Sequence, residues 1–234
     1  MSGQPVVLAV IPARYASTRF PGKVIVPLAG KPLVWHVYER ARKARSVTDV
    51  IIATDDTRVK DALNPFDVPV VMTRPDHASG TDRIAEVVAN RACDIVVNVQ
   101  GDEPLIDPRT IDAVIEPLLS APDLPMATAK CRIKRPEMVE NPNVVKVVCD
   151  DRQRALYFSR SRIPYIRDEA VRKQFPPCYF VHIGLYAYRK DFLLKYSQWE
   201  PTPLDRLEKL EQLRVLEHGY PIAVVETEYE SVGV

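Results

Sequence analysis

The chain has 234 residues, 46% of them hydrophobic, with 32 basic against 31 acidic residues for a net charge of +1. That length and apolar content can bury a substantial core without disulfide or metal staples, and so balanced a charge offers no global field for nucleic acid or membrane. No apolar run approaches the ~20 residues of a membrane span, and the N-terminus lacks the pattern of a secretory leader, which predicts a cytoplasmic protein that neither inserts in a membrane nor binds nucleic acid. The four cysteines, Cys93, Cys131, Cys149 and Cys178, lie far apart without CxxC spacing and read as reduced thiols, not as a zinc site.

Residues 6–23, VVLAVIPARYASTRFPGK, run from a buried strand into a Pro-punctuated loop carrying Arg14, Ser17, Thr18, Arg19 and Lys23. Taken alone such a loop is more often a solvated turn than a triphosphate site, and the triphosphate reading needs support from elsewhere in the chain. It has neither the GxxxxGK[ST] nor the GxGxxG spacing. Leu33, Val34, Val37, Ala41 and Ala44 then recur at helical spacing, with Pro32 suited to a first turn. A short strand over 50–53 ends in Thr54-Asp55-Asp56, the segment TRVKDAL suits a helix, and a strand over 68–72 leads into the loop TRPDHASG. From Gly80, TDRIAEVVANRA has helical spacing, and the strand over 95–97 ends in NVQGDEPLID.

This β-α-β-α-β alternation predicts an α/β fold whose mainly parallel sheet is covered on both faces. Ligands of such sheets collect beyond the carboxyl ends of the strands, so the loops after Val10, Ala53, Met72 and Val97 should share one crevice. Residues 126–190 turn to β-like runs, which predicts a mixed sheet and a smaller inserted lobe for substrate and dimer contacts. Residues 203–218 read as one helix and 221–225 as a strand.

Asp102, at the end of a buried strand, is the best candidate to ligate Mg2+ beside phosphate oxygens. Glu211 falls among Leu204, Leu207 and Val215 on one face of the predicted helix, so it must meet a cation, a hydrogen-bond network or a polar ligand. His77 and His182 are candidates to face the crevice, whereas His36 and His218 read as packed or surface residues. No GxSxG or HExxH supports acyl transfer or zinc hydrolysis.

The segments IPARYASTRFPGK, ATDD, HASGTDR, NVQGDEPLI, NVVKVV, YFSRSRIPY, HIGLYAY and LEQLRVLEHGY, in this order and spacing, resemble the 3-deoxy-D-manno-octulosonate (Kdo) cytidylyltransferases nearly end to end. The resemblance implies a Rossmann-like nucleotidyltransferase core, a single domain over 1–234, acting as a cytoplasmic homodimer. It implies that CTP, Mg2+ and Kdo are used to make CMP-Kdo and pyrophosphate for lipopolysaccharide assembly. It assigns Arg14, Ser17 and Lys23 to the triphosphate, and Arg74, Ser79 and Gly80 to the loops that recognise cytosine. Gln100, His182, Tyr186, Glu211 and Gln212 line the sugar-acid pocket, with Arg19 and Arg162 as candidates for its carboxylate. Asp102 is a magnesium ligand, and Arg14, Lys23 and Asp102 are the catalytic set.

Two departures stand out. The sequence ends at Gly233-Val234, where the family continues with an Asp-Thr-Pro segment carrying a second magnesium carboxylate, and Asp205 stands where related chains usually carry Glu. The alternatives are a cytidylyltransferase for 8-amino-Kdo or a sialic-type acid, and a CTP-binding module without turnover. An NAD-dependent dehydrogenase, suggested by Asp55 and Asp56, lacks the glycine fingerprint.

Overall fold

The structure, a computed structural model, describes residues 4–16, 20–168, 170, 171 and 179–229. Strand β1 (Val7–Pro12) sends alternate side chains to opposite faces, so Val7, Ala9 and Ile11 enter one apolar core while Leu8 and Val10 enter another. Both faces are covered, and this is why the run is apolar throughout. A small hairpin, β2 (Pro27–Leu28) and β3 (Lys31–Pro32), feeds α1 (Leu33–Ala41), whose Leu33, Val34, Val37 and Ala41 pack on the Val7 face. Pro32, expected in the first turn, is instead the extended residue just before it.

The alternation then proceeds as expected. β4 (Asp49–Thr54) leads to α2 (Thr57–Leu63), capped by the Asp56 carboxylate, and on to β5 (Val70–Met72). α3 (Gly80–Ala89) opens with a reciprocal capping box between Ser79 and Asp82 and precedes β6 (Ile95–Asn98). A helix the sequence pattern did not reveal, α4 (Pro108–Ser120), follows with Asp107 as its cap. The later elements are β7 (Met126–Arg132), α5 (Glu137–Glu140), β8 (Lys146–Cys149), β9 (Ala155–Ser159), β10 (Phe180–Arg189), α6 (Lys190–Tyr196), α7 (Pro203–Glu208), α8 (Gln212–Glu217) and β11 (Ile222–Thr227).

The sheet runs β11-β7-β10-β6-β1-β4-β5, with β8 and β9 attached through β10. β1 is parallel to β4 and β6, β4 to β5, and β7 to β11, while β10 is antiparallel to both β6 and β7. The sheet is therefore mixed, as expected. The β-like runs of 126–190 divide: β7 and β10 are interior strands, and the antiparallel β8–β9 pair stands beside them. Helices α1, α2 and α4 cover the Val7 face, and α3, α6 and α8 cover the Leu8 face.

The single helix predicted over 203–218 is a correction. Lys209 adopts a left-handed backbone at φ 55° and splits it into α7 and α8. The break rotates the first half, leaving Leu207 80% exposed and off the apolar face on which it was placed. Asp205, the departure from the family pattern, is buried against Arg214, whose Nε and NH2 donate to its Oδ2 at 2.9 and 2.7 Å. Cys131 is buried, and burial pushes the Cys93 and Cys149 thiols up, away from reactive thiolate. Cys178 lies outside the described residues.

Candidate active site

From β1 the chain moves to β4 on one side and later returns on the other side as β6, so the loops after β1 and β6 flank a switch point of strand order. Their backbones nearly touch. A β-carbon on Gly101 would stand 2.7 Å from the Pro12 carbonyl oxygen, so only glycine suits this approach. Lys23, which begins a short 3-10 turn, places Nζ 2.6 Å from Asp102 Oδ2 across the crevice. Arg14 donates from NH2 to the His77 carbonyl at 3.1 Å, which ties the first loop to the one after β5. Three of the four loops expected to converge, those after β1, β5 and β6, meet here.

Behind this crevice lies a polar layer that the sequence did not disclose. Arg83 on α3 is fully buried, bonded to the Thr73 hydroxyl and 3.3 Å from Asp55 Oδ1. Burial draws the guanidinium's pKa down and Asp55 opposes the shift. Asp55, the acid that suggested a dinucleotide site, is thus occupied as an internal counter-ion. His77 is joined to Glu86, whose carboxylate burial would raise but which hydrogen bonds from His77 and the Arg74 amide hold below the usual range. The Arg74 side chain is 68% exposed and 3.6 Å from both Asp76 and Glu86. Ser79 accepts from the Asp82 amide at 3.1 Å, and Gly80 opens α3 against the Pro12 ring.

Next to the loop after β6 lies a cavity of about 680 Å3 whose lining includes Gln100, His182, Tyr186, Glu211 and Gln212, the five residues assigned to line the sugar-acid pocket. The register explains part of this grouping, since Tyr186 pairs with Asn98 on one side and Thr128 on the other. Thr128 donates its hydroxyl proton to the Leu185 carbonyl at 2.8 Å, so the 3.0 Å contact with His182 Nε2 makes that ring nitrogen the donor and leaves Nδ1 as an acceptor. Burial pushes the imidazole down to about 3, so His182 is neutral at physiological pH. Burial also raises the Tyr186 phenol, with Glu211 and Glu103 adding to the shift.

Glu211 is raised by burial, while a 2.9 Å hydrogen bond from Thr81 Oγ1 and the nearby Arg214 favour its charged form. Gln212 is 3% exposed, and its buried Nε2 has no hydrogen-bond partner among the described residues. An unsatisfied buried donor costs about 1–3 kcal/mol, so a ligand acceptor would satisfy it favourably. Glu103, which with Gln100 flanks Asp102, also lines the cavity, as do Thr81 and Asn98, which were not singled out in the sequence. A signal existed for Thr81, which stands two residues after Ser79, the capping residue of α3.

Other expected residues lie elsewhere. Arg162 is not among the cavity residues; its NH1 donates to Glu140 Oε1 at 2.8 Å. Ser17 and Arg19 lie outside the described residues, as do Gly233 and Val234. His36 bonds the Leu28 carbonyl and His218 stacks on Trp199, both in the packing roles expected. Among the described residues no group of three or more His, Cys, Asp or Glu is arranged to hold a metal, and no helix is long and apolar enough to cross a membrane. Asp102 nevertheless suits a hard cation that takes one or two protein carboxylates and completes its shell with water and phosphate oxygens.

A family model described as Cytidylyltransferase matches residues 8–226. The chain is 56% identical over 228 residues to the 3-deoxy-manno-octulosonate cytidylyltransferase of Solibacter usitatus, covering 97% of this chain and 89% of that protein. It is 54% identical over 235 residues to the protein of the same name from Geobacter metallireducens, covering 97% and 92%. A solved structure of CMP:2-keto-3-deoxy-manno-octonic acid synthetase complexed with CTP superposes with a TM-score of 0.91 at 44% identity, covering 98% of this chain and 92% of that one.

Proposed function

The chain belongs to the cytidylyltransferases, and within them to the 3-deoxy-manno-octulosonate cytidylyltransferases, and from that premise we propose how its residues transfer CMP from CTP to the anomeric hydroxyl of Kdo. The supporting observation is the adjacency of two sites. Gln100 and Glu103, which flank Asp102 in the loop after β6, line the cavity that also holds His182, Tyr186, Glu211 and Gln212, while Asp102 itself meets Lys23 of the first loop.

The triphosphate lies along the first loop, where Arg14 and Lys23 neutralise the charge that grows on departing pyrophosphate. The Lys23 ammonium, 2.6 Å from Asp102, also shields the phosphates from that carboxylate. Ser79 and Gly80 set the loop at the start of α3 against the base. In the cavity, neutral His182 offers Nδ1 as an acceptor, Gln212 offers its free Nε2–H, and Glu211 accepts from sugar hydroxyls. These groups aim the anomeric oxygen at the α-phosphorus for in-line attack, so catalysis is chiefly positioning and electrostatics. Asp102 would hold Mg2+, which when bound would lower the pKa of the attacking hydroxyl and screen the phosphate oxygens. We further propose a cytoplasmic homodimer whose product serves lipopolysaccharide assembly.

Pyrophosphate release is measured with CTP, Mg2+ and Kdo, and with 8-amino-Kdo in place of Kdo. Release that requires Kdo supports the assignment, whereas release only with the amino sugar, or tight CTP binding with neither, overturns it. In the same assay Asp102→Asn should lower kcat at least about a hundredfold while changing stability by less than about 1 kcal/mol. Wild-type turnover in that variant removes Asp102 from the metal site.

A further inference from the structure

Lys146 on β8 is fully buried. Lysine is almost never fully buried unless paired, and among the described residues Lys146 makes no ion pair. Its ammonium has three protons, and each goes to a backbone carbonyl: Asn141 at 2.9 Å, Val144 at 2.6 Å, and Arg160. Burial draws its pKa down, opposed by the more distant Glu140 and Glu208. A buried charge this costly, satisfied only by main chain, holds backbone segments in one arrangement.

Those segments surround the cavity. Asn143, Val144 and Val145 form one stretch of its lining, and the Val145 carbonyl accepts from the His182 amide at 2.8 Å. Arg160 continues the tie: its amide and Nε donate to the Glu208 carboxylate and carbonyl at 2.9 and 2.7 Å, and its NH1 donates to the Pro142 carbonyl at 3.0 Å. Glu208 precedes the left-handed Lys209, the break from which Glu211 and Gln212 enter the cavity. One ammonium therefore links residues 141–145, the end of β9, and the α7–α8 break.

We propose that Lys146 is a positioning residue for the sugar-acid cavity, fixing the separation of its walls through three main-chain carbonyls and so setting affinity for the acceptor without touching it. The substrate part of this proposal rests on the function assigned above. Lys146→Met removes all three donors and retains the side-chain bulk. The Met variant should raise KM for Kdo about tenfold or more, with kcat and KM for CTP within about twofold of wild type. Amide hydrogen exchange should quicken over 141–145 and 208–213 and stay unchanged in β1 and α4.

If the Met variant does not fold, Lys146→Gln, which keeps two N–H donors, is measured in the same way. Parallel changes in both KM values, or exchange unchanged in the two cavity walls, overturn the proposal. Wild type without turnover on Kdo overturns the assigned function and the predicted KM effect, and the exchange measurement then decides the positioning role alone.

Discussion

At Gly101 a β-carbon would press on the Pro12 carbonyl oxygen, backbone against backbone, so nothing flexible can yield. Gly101→Ala should therefore cost about 1–3 kcal/mol of stability, the range for overpacking. It should also lower kcat more than tenfold by displacing Asp102, a loss measured in the pyrophosphate assay beside a urea titration. His182 makes a different prediction. Its folded pKa, about 3, lies below the ordinary 6.5, so folding favours the neutral ring. That contribution is fully present above pH 6.5 and is lost as pH falls from 6.5 towards 3, amounting to about 2 kcal/mol by pH 5. His182→Gln should flatten the decline of unfolding free energy between pH 7.5 and 5 relative to wild type. An unchanged slope would mean that the imidazole titrates normally.

The α7–α8 break belongs to the scale of elements. The sequence from Pro203 to His218 contains good helix formers throughout, and no glycine or proline marks an interruption. The interruption comes from tertiary demands: Tyr196 donates to the Glu211 carbonyl at 2.8 Å, and Arg214 must reach the buried Asp205. Lys209 absorbs the change in a conformation that L-residues adopt at a cost of about 1–2 kcal/mol. Lys209→Gly should raise stability by about 0.5–1 kcal/mol, read as a higher urea midpoint at constant slope. Helix α4 shows the opposite problem, because its signals are local and present. Asp107 caps it and Pro108 occupies its first turn, but Pro117 inside the helix obscures the pattern.

For the whole molecule, the consequence of a sheet continuous from β11 to β5 is shared cooperativity. The two tryptophans report on different parts of it: Trp35 packs on the Val7-face core and Trp199 on the Leu8-face core. Strands β1 and β6 contribute side chains to both cores, so neither can melt alone. Urea unfolding followed by fluorescence in Trp35→Phe and Trp199→Phe should therefore give coincident transitions once each is referred to its own midpoint by circular dichroism. Separate transitions within one variant would show that β7–β10 and their helices unfold as an independent unit.

The alternation of strands and helices, the apolar face of α1, the start of α3 near Gly80 and the meeting of loops at the crevice were legible in the sequence. The elements follow from periodicity and turn chemistry within a dozen residues, and the meeting of loops follows from where ligands collect in a parallel sheet. Tertiary structure alone decided that Arg162 pairs with Glu140 and does not line the cavity, that Thr81 hydrogen-bonds Glu211 across 130 positions, and that Lys146 spends its protons on three carbonyls. Those partners depend on the antiparallel placement of β10 and on where a helix breaks, and long-range register is set by the summed packing of the whole sheet, which no local pattern encodes.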